Sequence, residues 1–203
     1  MAEIEFFFDI SSPWTYLAFH NLPTVAAEFG AEIAYRPFLV GGVFNTVNPS
    51  VYSSRERPIP AKDAYYKKDL QDWARYTGLR IGRPSTFPLN SVRAMRACIV
   101  LDGQGKLVPF ARAAFEAYWG DDKDISQHPE LALVAARAGV DADALFEAIE
   151  QQPVKDALRA NTQELIDRGG YGSPTIFVGG DDMYFGNDRM PLIRAALERR
   201  RQI

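Results

Sequence analysis

Ser12 is the residue from which chemistry could start. It stands between an apolar run, Phe6-Phe7-Phe8, and Pro13, which opens a helix-forming stretch. A serine at such a junction meets first-turn backbone N–H groups and the positive end of the helix dipole, a setting that stabilises an anion. Taken alone it also reads as an ordinary helix cap worth ~1 kcal/mol. Two further clusters bear on the choice. Gly172-Ser173-Pro174 precedes a second apolar run, where the proline is either a loop constraint in trans or a placed cis residue. Gly186-Asn187-Asp188-Arg189 precedes the last helical pattern. Asn187 or Asp188 could cap that helix. Alternatively, Asn187 and the helix N–H groups could hold a carboxylate while Asp188 pairs with an ammonium. Lys62 could neutralise a second carboxylate and Asn48 could donate hydrogen bonds, although a solvated lysine is the plainer reading. Together these are parts for a small peptide with two carboxylates, one ammonium and a thiol.

Other chemistries lack their residues. The chain has 203 residues, one cysteine and two histidines. A lone Cys98 among Ala97, Ile99 and Val100 excludes an intramolecular disulfide and reads as core filler. His20 and His128 have no ligand-like neighbours at motif spacing, so no metal is expected. A serine hydrolase would need Gly-x-Ser-x-Gly and a base, and neither is present. A net charge of −3 gives no general attraction for nucleic acid, and the Arg199-Arg200-Arg201 run ends a helix where cations complement the dipole. No stretch reaches the ~20 apolar residues of a membrane span, and the acidic start is unlike a signal peptide. A cytoplasmic location is the expectation.

The elements that must position these residues follow from periodicity. Strand, helix and strand succeed one another up to about Phe38, with Pro23 predicting a kink in a helix that Gly30 ends. Trp14, Ala18, Leu22, Val25 and Phe29 recur at helical spacing and would face a sheet. The two strands of such a unit should be parallel. Residues 40 to 60, with Gly41-Gly42, Pro49, Pro58 and Pro60, read as a long loop. Tyr66, Leu70 and Trp73 then stripe one expected helix, and others follow around 90–101, 108–119, 129–138, 141–150 and 154–168, with Asp141 a natural cap. A β-hairpin over 174–185 and a final helix close the chain. The fold class is therefore α/β: a thioredoxin-like βαβ…ββα core, residues 1–45 and 169–203, around a large all-helical insertion, residues 46–168. Thioredoxin-like proteins carry their reactive cysteines at the strand-to-helix turn, facing a cis-proline whose preceding residue pairs with an extended thiol peptide. Here the turn is Ser12-Pro13-Trp14-Thr15, without sulfur, so a thiolate served there would come from a cofactor.

These pieces resemble the 2-hydroxychromene-2-carboxylate isomerases and the kappa-class glutathione transferases. The resemblance rests on Phe8-Asp9-Ile10-Ser11-Ser12-Pro13-Trp14-Thr15-Tyr16, Arg36-Pro37, the Lys62 region, Asn90-Ser91-Val92-Arg93-Ala94-Met95-Arg96, Trp119-Gly120 with Asp124-Ile125, Gly172-Ser173-Pro174 and Gly186-Asn187-Asp188-Arg189-Met190. It implies reduced glutathione as cofactor, with Ser12 bonded to the sulfur and Ser11 at a variable position. Ser173, before Pro174, would pair with the cysteinyl part. Asn187 and Asp188 would hold the γ-glutamyl end, and Lys62 and Asn48 would contact the tripeptide. Asn187 stands where the kappa transferases tend to carry serine, which leans toward the isomerases. The implied activity is interconversion of 2-hydroxychromene-2-carboxylate and trans-o-hydroxybenzylidenepyruvate in bacterial breakdown of naphthalene-type aromatics, by a homodimer. The alternatives are a glutathione transferase and a non-catalytic thioredoxin-like binding or chaperone module. Trp14, Phe38, Phe44 and Trp119 are candidate walls for an aromatic substrate.

Overall fold

The computed structural model describes residues 3–201. Strand β1 (Glu3–Phe8) alternates its side chains as a strand must: Ile4, Phe6 and Phe8 are buried on one face and Phe7 on the other. Each such phenyl ring contributes roughly 1.5–3 kcal/mol relative to exposure. Helix α1 (Pro13–Phe29) begins on the Ser12 cap and runs through Pro23 without ending there. Gly30, at φ +62°, closes it, and the Ala31 N–H turns back to the Ala26 carbonyl at 3.0 Å. Strand β2 (Glu32–Pro37) then pairs parallel to β1, with Phe6 opposite Tyr35.

Residues 40 to 60 depart from the expected loop. They hold two short helices, α2 (Val40–Thr46) and α3 (Ser50–Glu56). The glycines and prolines that suggested a loop sit where short helices tolerate them. Gly41 and Gly42 lie in the first turn of α2, Pro49 precedes α3, and Pro60 opens α4 (Pro60–Thr77). Gly42 also lets α2 approach its neighbour, since a Cβ there would lie 3.1 Å from Thr162 Cγ2. Helix α3 buries no residue, so it has no apolar stripe for periodicity to detect.

The helical insertion continues with α5 (Val92–Asp102), α6 (Leu107–Phe115), a π-helical turn (Glu116–Gly120), α7 (His128–Arg137), α8 (Ala142–Ala148) and α9 (Gln152–Asp167). Asp141 caps α8 by accepting from the Ala144 N–H at 2.9 Å. The hairpin β3 (Thr175–Val178) and β4 (Asp182–Phe185), a 3-10 turn (Asn187–Arg189) and α10 (Met190–Arg201) complete the described chain. The mixed sheet has the order β2-β1-β3-β4, with β3 antiparallel to both neighbours.

Each face of the sheet has its own core. The larger packs Ile4, Phe6, Phe8, Ile176 and Val178 against α1, α10 and the insertion. The smaller gathers Phe7, Phe38, Val43, Leu165 and Phe177. Phe38 is therefore core and lines no substrate pocket. Cys98 is fully buried, and burial pushes its thiol pKa up, in keeping with a filler. Trp14 faces α4 rather than lying wholly on the sheet, because α4 crosses the start of α1; its ring meets Tyr66 edge-on at 5.4 Å. Among the described residues no helix is long and apolar enough to cross a membrane.

Candidate active site

The turn after β1 is built on a buried carboxylate. Asp9 is 1% exposed, and its oxygens accept from the Ser11 and Val40 N–H groups, each at 2.9 Å. Desolvation raises its pKa above the ordinary carboxylate value, and the hydrogen bonds from Ser11, Val40 and Ser91 work against that rise. The Asp9 N–H donates to Ser173 Oγ at 3.0 Å, and Thr15 Oγ1 lies 2.7 Å from the same hydroxyl. One strand end, one helix start and the loop before β3 are thereby joined in a single network.

Ser12 sits at the centre of this network. Its Oγ accepts from the Thr15 N–H at 3.3 Å, the capping bond, and its hydroxyl donates to the Ser173 carbonyl at 3.1 Å. The Ser173–Pro174 peptide is cis, and the bond from Ser12 to the Ser173 carbonyl sets this loop against the turn. Gly172 is required beside it: a Cβ would lie 2.8 Å from the Phe185 ring. From below, Met95 Sδ accepts from the Ile10 N–H at 3.5 Å, and Trp119 Nε1 donates to the Ile10 carbonyl at 2.9 Å. Trp119 belongs to the π-helical turn, a local widening that recurs at functional sites.

Asn187 and Asp188 lie on the 3-10 turn, which packs against α1. The cap of that turn is Gly186, without a side-chain capping bond among the described residues. Asn187 is 3% exposed, and its Nδ2 is buried with no hydrogen-bond partner among the described residues. An orphan donor of this kind costs about 1–3 kcal/mol unless a ligand supplies the acceptor. Asp188 is half exposed and pairs with Arg189 at 2.6 Å. Gly186, at φ +107°, gives its carboxylate room to fold back, since a Cβ there would lie 2.7 Å from Asp188 Oδ1. Two neighbours on one turn thus differ: Asn187 has a buried amide donor without a partner among the described residues, and Asp188 an exposed carboxylate paired with Arg189.

The remaining candidates differ in how closely they join. Asn48 donates from Nδ2 to the Tyr171 carbonyl at 3.1 Å, two residues before Ser173, and accepts from Ser50 Oγ at 2.8 Å. Lys62 is exposed on the first turn of α4, makes no ion pair among the described residues and stands outside the network. Sequence reasoning missed Asp9 and Thr15 as site residues. Asp9 had a signal, a carboxylate closing an unbroken apolar strand; Thr15, third into the helix, could have been read as the partner of the Ser12 cap. No group of His, Cys, Asp and Glu side chains that could hold a metal occurs among the described residues.

A model of the DSBA-like thioredoxin domain matches residues 3–198. The chain is 30% identical to a 2-hydroxychromene-2-carboxylate isomerase of Pseudomonas putida over 97% of its own length and 94% of the relative's. It is 27% identical to the glutathione S-transferase kappa 1 of Caenorhabditis elegans, covering 98% and 92% of the two chains. A solved structure of a 2-hydroxychromene-2-carboxylate isomerase superposes with a TM-score of 0.83 at 28% identity, covering 97% of this chain and 95% of the other.

Proposed function

The chain belongs to the DSBA-like thioredoxin domain family, and from that premise we propose that it is a glutathione-dependent isomerase acting on 2-hydroxychromene-2-carboxylate. The observation that carries this reading is the sulfur-free turn in which Ser12 reaches the carbonyl of Ser173 across the start of α1. The family's site for thiols is kept while its own thiol is absent. The orphan Nδ2 of Asn187 adds a place for a carboxylate, so the residues present fit a tripeptide carrying a thiol.

Glutathione, when bound, would supply the thiolate that adds to and then leaves the conjugated carbon of the substrate. A free thiol with pKa ~8.5 is mostly protonated at neutral pH. Here the Ser12 hydroxyl and the positive end of α1 favour the anion, and each unit by which they lower the thiol pKa reflects ~1.4 kcal/mol. Ser12 and Ser173 satisfy each other until a ligand arrives. A cysteinyl N–H taking the Ser173 carbonyl would release the Ser12 hydroxyl for the sulfur, so neither polar group loses a partner. Asn187 would hold the γ-glutamyl carboxylate, Asp188 its ammonium, and Asn48 and Lys62 the rest of the peptide. The reaction proposed is reversible conversion to trans-o-hydroxybenzylidenepyruvate, in a cytoplasmic homodimer serving aromatic catabolism.

The test is turnover of the chromene carboxylate with and without glutathione. Catalysis that requires glutathione and leaves its concentration unchanged supports the isomerase; no turnover under either condition refutes it. The similarity to the kappa transferases favours a second reading, conjugation of glutathione to electrophiles. Stoichiometric consumption of glutathione would select it.

A further inference from the structure

Arg55 lies near the end of α3, and its guanidinium carbon sits over two aromatic rings, 5.7 Å from the Phe44 centroid and 5.4 Å from that of Phe87. Among the described residues it forms no ion pair and no side-chain hydrogen bond, and the two rings are its contacts. Cation–π contact engages the charge and leaves the planar fork of N–H donors without acceptors. A surface arginine is ordinarily solvated and loose. This one, though exposed, lies within cation–π distance of two rings, so part of the entropy of ordering it is met before any ligand arrives.

Its surroundings lead back to Ser12 on both sides. Phe87, 51% exposed, packs against Trp119 at 6.4 Å, and Trp119 holds the Ile10 carbonyl two residues before Ser12. Trp14, two residues after Ser12, donates from Nε1 to the Tyr66 hydroxyl at 3.2 Å. Phe87 beside the guanidinium and Tyr66 beside Trp14 thus present exposed rings, joined to the turn through the buried Trp119 and through Trp14. Flat apolar walls and a fork of donors are complementary to one ligand chemistry, a planar aromatic carrying a carboxylate.

We propose that Arg55 is a specificity-determining residue that binds the carboxylate of a flat aromatic acid at the mouth of the Ser12 turn. This deepens the isomerase reading and rests on it for the reaction, though the binding can be tested without turnover.

The probes are benzylidenepyruvate and its methyl ester, titrated without glutathione and followed by quenching of tryptophan fluorescence. The wild-type protein is expected to bind the acid about tenfold more tightly than the ester. Arg55→Met keeps a long side chain over the rings but removes the charge. It should weaken the acid about tenfold, leave the ester within twofold and abolish the preference. Arg55→Lys should restore only part of it, since an ammonium has no fork. The affinity of Arg55→Met for glutathione, measured by calorimetry, should stay within twofold. A wild type without preference for the acid overturns the proposal, as does a preference that survives in Arg55→Met. A loss of glutathione affinity equal to the loss for the acid also overturns it, by assigning Arg55 to the cofactor. Failure of the isomerase reading would look different: the acid preference would persist and depend on Arg55, with no turnover of the chromene carboxylate.

Discussion

Asp9, Ser11, Ser12 and Thr15 direct their polar groups at one another and at Ser173, within a network, buried at Asp9, Thr15 and Ser173 and half-buried at Ser11 and Ser12, closed by distances of 2.7–3.3 Å. The segment carrying Asn48, Arg55 and Lys62 is built otherwise: α3 buries no residue, and among the described residues Lys62 stands free of ion pairs and Arg55 is steadied by rings alone. On the function proposed above, the first region would hold a charge in one place while bonds change, which demands rigid, desolvated donors. The second only has to recognise polar ends of ligands, which exposed and adjustable side chains do adequately. Damage to the turn should therefore appear in stability and rate together, and damage to the clamp and the outer segment in affinity alone.

The largest effect should come from Ser173→Ala. It leaves the buried Asp9 N–H and the Thr15 hydroxyl without their partner, and each orphaned group costs about 1–3 kcal/mol. A loss of ~2–4 kcal/mol in urea unfolding is expected, with a lower melting temperature. A change under ~0.5 kcal/mol would mean the network is loose and the contrast between the two regions is false.

Ser12→Ala comes next and separates rate from stability. The lost cap should cost ~1 kcal/mol of stability. A charge-assisted hydrogen bond worth roughly 1.5–3 kcal/mol corresponds to one or two units of thiol pKa, so turnover at pH 7 should fall about ten- to a hundredfold. The pH–rate profile should move to higher pH, and thiolate absorbance at pH 7 should drop in parallel. Unchanged turnover in a folded variant would return Ser12 to a capping role.

Asp188→Asn should act on affinity without touching the fold. The carboxylate is half exposed and shares Arg189, so solvent screening limits the loss of glutathione binding to about tenfold or less. Calorimetry showing an affinity within twofold of wild type would remove Asp188 from the clamp.

The smallest effect concerns Asp9 and pH. Its folded-state pKa is raised, so the folded protein holds this proton more tightly than the unfolded chain does. The stability it contributes is fully present below the ordinary value of 3.8 and is lost as pH rises through the raised value. Asp9→Asn cannot ionise, so its stability relative to wild type should improve from pH 4 to pH 8 in paired urea titrations. A difference that stays constant with pH would show that burial does not perturb this carboxylate.

Much of this was legible in one dimension because the physics is local. Alternation along Phe6-Phe7-Phe8 specifies a two-faced strand, Ser12-Pro13 starts a helix wherever it occurs, and Gly30 ends one. The order of strands and helices then restricts the sheet to few topologies. The cysteine-free turn and the Asn187-Asp188 pair could likewise be singled out, since residue type carries the chemistry. Helices α2 and α3 could not be read, because their short spans offer glycine and proline to inspection and too few buried positions to show a period. Tertiary structure alone decided which groups meet. Ser12 and Ser173 are 161 residues apart and share a hydrogen bond. Asp9 reaches Val40 across β2, and the Asn187 amide is left without a partner only once the surrounding chain has excluded water. Arg55 had no signal at all in its neighbours Ser54 and Glu56. Its character comes from Phe44 and Phe87, two rings that only the folded chain brings within reach of it.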